Sequence, residues 1–164
     1  MKAVSLEERF RDFARQQGEP VRPRQAAAYE RNLEALKGVE PVVLKVVEAF
    51  CRGVGWNLKR NDCCDSTRGA VACNYILEHP DYWQEGFVAV DVEVAWGGQS
   101  EPLNAVTVYQ GQIVGGKEHV RVFPSRVVIP FSTVTEEKLA AALEQQSGDV
   151  LMRIAQHGRQ GWTL

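Results

Sequence analysis

The chain of 164 residues has no apolar run approaching the ~20 residues that span a bilayer, and charges enter its first ten residues, MKAVSLEERF, too early for a secretory leader. It has little net charge. Nineteen basic against twenty-one acidic side chains leave a formal −2, so no global field draws the chain to nucleic acid or to an anionic membrane. Paired CxxC spacings are absent: Cys51, Cys63, Cys64 and Cys73 fit no common zinc pattern, and neither a metal nor another cofactor is expected. There is no phosphate-cradling loop either, because Gly97-Gly98 and Gly115-Gly116 lie in hairpin-like contexts rather than strand-to-helix turns. No repeat, low-complexity tract or long linker divides the sequence. These absences point to one cytoplasmic domain over 1–164 with reduced thiols.

What is present is a valine ribbon. In GFVAVDVEVAW, Val88, Val90, Val92, Val94 and Trp96 alternate with Phe87, Ala89, Asp91, Glu93 and Ala95, the two-residue period of a half-buried strand. LNAVTVYQ and EHVRVFPSRVVIPF share the β-branched character, so residues 86–131 read as an antiparallel sheet of three to five strands. Gly111 marks a tight hairpin or a bulge. Pro124 makes the last segment an edge strand or breaks it.

Helices flank the ribbon. Ser5-Leu6-Glu7-Glu8 is a capping box opening a helix with Leu6, Phe10 and Phe13 at helical spacing. A second helix starts at Pro23 and stops at Gly38. A third starts at Pro41, and Gly53 and Gly55 end it. Ser66–His79 reads as a fourth, with Val71, Tyr75 and Ile76 inward. After the sheet, Thr133-x-x-Glu136 is a second capping box; Gly148 stops that helix and Asp149 caps a short final one. About four N-terminal helices, a central sheet and two C-terminal helices make the fold class α+β.

Chemistry concentrates at Cys63 and Cys64. If Asp62 caps the fourth helix, both thiols lie in its first turn, where the dipole favours a thiolate, and His119 can serve as base. A thiol at a helix start followed by a histidine at a strand start resembles papain-like thiol hydrolases and deamidases. That resemblance implies covalent thioester chemistry by Cys63 or Cys64 with His119. Against it stands the ordinary occurrence of semi-buried structural cysteines. Asp91 and Glu93 share one strand face and can divide acid and base roles, or simply face solvent. Arg121 or Arg126 opposite them would make an ion-pair ladder. In the first two helices, arginines are interleaved with acids, which cancels their field for nucleic acid.

Aromatic residues exceed what one sheet face buries, and Trp83, Phe87, Phe123 and Trp162 are the candidate anchors for a partner. The preferred reading is a small protein acting by protein–protein interaction, as an adaptor, an inhibitor or immunity-type protein, or an assembly subunit. Its partner would be another protein or a second copy, with no nucleic acid and no membrane. The alternative is the thiol enzyme.

Overall fold

The computed structural model describes residues 5–17, 23–65, 70–96, 103–114 and 118–160, with side chains over most of them. Five strands follow one another as an antiparallel meander: β1 (Asn57–Asp65), β2 (Ala70–Glu78), β3 (Phe87–Trp96), β4 (Leu103–Val114) and β5 (Glu118–Pro130). Ahead of them come α1 (Leu6–Gln16) and α2 (Pro23–Val54); behind them comes α3 (Glu136–Gln160). The α+β class is as expected, but the six expected helices become three among the described residues.

Alternation places Val88, Val90, Val92 and Val94 on one face of β3, each 0% exposed. Val71, Cys73, Tyr75 and Leu77 of β2 join them, with Val106 and Val108 of β4 and Ile129 of β5. Two helices cover this face. α2 lies over β1–β3 through Leu36, Val43, Val47 and Cys51, and α3 lies over β3–β5 through Leu139, Ala142, Leu143 and Val150.

The helix count differs because tertiary packing overrides local breakers. Tyr29, Leu33, Leu36, Glu40, Val43, Val47 and Cys51 keep one helical phase across Gly38 and Pro41, so α2 runs on for 32 residues. Pro41 sits on the solvent side, where the Lys37 carbonyl that it deprives of a donor can bond water. Gly148 likewise lies on the exposed side of α3, which continues through it and through Asp149. The cap of α3 is Thr135, whose Oγ1 accepts from the Lys138 N–H at 3.2 Å; Thr133 instead donates to the Pro130 carbonyl at 3.3 Å.

The largest correction concerns Ser66–His79. Residues 70–78 form β2, because the alternating series Val71, Cys73, Tyr75, Leu77 matches the sheet face better than a helical stripe. KRNDCCD is therefore β1, an edge strand, and the sheet begins at Asn57 rather than Gly86. Gly55 does end α2, at φ 75°, with its N–H bonded to the Cys51 carbonyl at 2.9 Å.

On the opposite face no helical residue joins the cluster of Ile76, Phe87, Ala89 and Tyr109 among the described residues. Phe87 is 1% exposed because its ring lies over Gly111, where a Cβ would stand 2.2 Å from the ring carbon Cζ. Around Gly111 the register slips: Tyr109 pairs with Arg126 but Gly111 with Arg121, a bulge on β5 that contains Pro124. β5 is thus an unbroken edge strand with an irregularity at its proline.

Two tests follow from the glycines. Gly38→Ala and Gly148→Ala put a Cβ into open space, and each is expected to stabilise the chain by about 0.5–1 kcal/mol in a denaturant titration. Gly111→Ala drives a methyl into the Phe87 ring and is expected to destabilise by about 1–3 kcal/mol, with partial recovery when Phe87→Leu is added.

Candidate functional site: an unpartnered helix and an apolar groove

α1 forms for local reasons. The Glu8 N–H donates to Ser5 Oγ at 3.2 Å and the Ser5 N–H donates to Glu8 Oε2 at 3.0 Å, so the expected capping box is present. Leu6, Phe10 and Phe13, spaced i, i+4, i+7, form one apolar ridge. Arg9 and Glu7 flank it, and Asp12 and Arg15 pair on the back at 3.8 Å. No residue of α1 is buried. Leu6, Phe10 and Phe13 are 69, 65 and 59% exposed, the largest apolar side chains so placed among the described residues.

A groove between α2 and α3 has the complementary character. Its floor is Val46, Ala49, Phe50, Ala140 and Leu143, and its volume of 420 Å³ is in the range of pre-formed binding sites. Its rim is acidic, with Glu136, Glu137 and Glu144 against Lys45, which donates to Glu136 at 2.6 Å.

A polar cluster clamps α2 to the sheet. The Tyr75 hydroxyl donates to Glu40 Oε1 at 2.7 Å, and Arg60 Nε donates to the same oxygen at 2.7 Å and to Tyr75 Oη at 3.3 Å. Arg60 also bonds Asp62, and its guanidinium lies 5.9 Å from the Tyr75 ring centre. Burial first, then the Glu40 carboxylate, pushes the Tyr75 hydroxyl above its ordinary value. The cluster thus ties α2 to β1 and β2 through one carboxylate oxygen that accepts from both Arg60 and Tyr75. It fixes the position of α2. Sequence reading missed it because its members come from three elements.

The thiol candidates are not brought together. Cys63 and Cys64 lie in β1 and His119 in β5, the two edges of the sheet, four strand spacings or about 19 Å apart. Through the ladders Cys63 is in line with Ala72, Glu93, Ala105 and Pro130, whereas His119 pairs with Ile113, about 27 Å further along β4. Neither cysteine is at a helix start, so no dipole acts on it; the three side chains lie outside those described. Burial pushes the other two thiols, Cys51 and Cys73, up to about 11. Among the described residues no group of three His, Cys, Asp or Glu side chains is placed to hold a metal ion.

Asp91 is 5% exposed and accepts from Asn74 and from the Tyr109 hydroxyl at 3.4 Å. Arg126 pairs in register with Tyr109 and Arg121 with Gly111, so neither stands directly across from Asp91 or Glu93. Of the expected anchors, Trp83 is half-buried in a 3-10 turn (Trp83–Glu85) and Phe87 is sealed in the sheet. Phe123 lies in β5 with its side chain outside those described, and Trp162 is outside the described residues altogether. No helix among the described residues is long and apolar enough to cross a membrane.

No protein-family model, curated protein or solved structure matches the chain. Its function must be read from its own surfaces.

The raised thiols give a pH dependence with a definite sign. In the unfolded chain they ionise near the ordinary 9.0 and in the folded chain near 11, so the native state retains protons that the unfolded state has lost between those values. Stability is therefore whole below about pH 9 and falls as pH rises towards 11. Cys51→Ala with Cys73→Ala should flatten that slope in denaturant titrations. At pH 8 both native thiols should alkylate more than about a hundredfold slower than in urea.

Proposed function

We propose that this protein works by binding another protein chain, with α1 as the element that docks. What carries the reading is the exposure of Leu6, Phe10 and Phe13 on a capped helix that buries nothing. Three large apolar side chains at i, i+4 and i+7 are the pattern by which an amphipathic helix enters a hydrophobic groove. A membrane surface is a weaker match, since the three arginines of α1 are balanced by Glu7, Glu8 and Asp12. An adaptor, an inhibitor or an assembly subunit would each use such an element, and a cytoplasmic setting belongs to the same proposal because Cys51 and Cys73 are free thiols. The thiol-enzyme alternative draws no support from cysteines and a histidine on opposite sheet edges.

A photo-reactive residue at position 10 of the full chain, activated in native extract, is expected to give one discrete protein adduct. Leu6→Ser with Phe13→Ser should abolish it while leaving the melting transition of the body in place. An unchanged adduct in that variant, or no adduct at all, overturns the reading.

A further inference from the structure

We propose that the groove between α2 and α3 binds a linear aliphatic diamine, its methylene chain on the apolar floor and one ammonium on each of Glu137 and Glu144. The site stands apart from α1 and does not depend on what that helix docks against. Size comes first. At 420 Å³ the groove lies towards the small end of the ~300–1,000 Å³ that house small molecules. Its floor of Val46, Ala49, Phe50, Ala140 and Leu143 offers no hydrogen-bonding side chain, so the part of a ligand that rests on it is apolar.

Charge then fixes the ends of the ligand. Three carboxylates and one ammonium stand on the rim, and the Lys45 ammonium is held by Glu136 at 2.6 Å. Glu137 and Glu144 have no basic partner among the described residues, which leaves two negative charges beside an apolar surface. An anion is repelled there, a neutral chain leaves both carboxylates unanswered, and a dication balances them. The dipole of α3 accounts for acids in its first turn, Glu136 and Glu137, but not for Glu144, two turns further on.

Spacing sets the length. Glu137 and Glu144 are seven residues apart on α3, so they share one side of the helix, about 10.5 Å apart along its axis. Ala140 lies between them, and its small side chain keeps that wall of the groove low. A chain of about eight methylenes covers the two helical turns from one carboxylate to the other. A monoamine answers only one carboxylate, and a shorter diamine reaches the second only by leaving part of the floor uncovered.

Backbone amide NMR shifts of the full chain, titrated with 1,8-diaminooctane at low ionic strength, test this. The expected result is a set of saturable shifts in residues 45–50 and 136–144, with one ligand per chain. Octylamine and 1,4-diaminobutane should each bind at least about fivefold more weakly. Glu137→Gln and Glu144→Gln, both at exposed positions, should each weaken 1,8-diaminooctane about two- to fivefold with unchanged circular dichroism. The double variant should bind it no better than the unaltered chain binds octylamine. Shifts that fail to saturate or that fall outside those two segments overturn the proposal. So does an affinity that is indifferent to chain length or undiminished in the double variant.

Discussion

The valine face of β3 is the constraint to which the rest of the chain answers. Four side chains two residues apart, all fully buried, require one side of the sheet to be sealed along its length. At about 1.5–3 kcal/mol for each buried valine, leaving that ribbon wet would cost about 6–12 kcal/mol, comparable to a domain's whole net stability. Only a helix long enough to cross several strands can seal it. That demand explains why α2 runs through a glycine and a proline, and α3 through a glycine, without breaking. The lost hydrogen bond and the weak propensities fall on the solvent side, where water offsets part of their cost.

The other face is solved differently. With no helix over it among the described residues, its apolar area is kept small: Ala89 and Ala105 are closed by their neighbours, and the end of the Phe87 ring packs over Gly111. Its polar members are tied across strands, Asn74 and Tyr109 to Asp91, and Lys59 to Glu78. A sheet face that buries its aromatic ring internally does not offer that ring to a partner, which moves attention from the sheet to the helices.

How far the sequence disclosed this depends on whether a signal was local. The period of Val88–Val94 and the capping box at Ser5 are complete within a few residues, and both appear in the structure as read. Residues 70–78 satisfied two periods at once: Val71, Tyr75 and Ile76 fit a helical stripe, and Val71, Cys73, Tyr75 and Leu77 fit a strand. Only pairing with β3, from Val71↔Val94 to Glu78↔Phe87, decides between them. β1 is polar because it is an edge, so its sequence gives little strand signal. Glu40, Arg60 and Tyr75 meet only once α2, β1 and β2 are assembled. The α2–α3 groove was invisible for the same reason, while the ridge of α1 was visible but could not be known to lack cover.

That lack of cover has an energetic meaning. An isolated helix shorter than ~12–15 residues is marginal in water, because fixing the first turn costs more than its hydrogen bond returns. α1 has eleven residues, and its capping box contributes on the order of 1 kcal/mol. Among the described residues nothing adds tertiary packing to that, and its apolar ridge gains nothing from solvent. A docked surface would supply both missing contributions, the burial and the restraint that nucleation lacks. The Ser5–Glu8 box then acts as pre-organisation: it lowers the ordering cost that a ridge of Leu6, Phe10 and Phe13 would otherwise meet at the moment of binding.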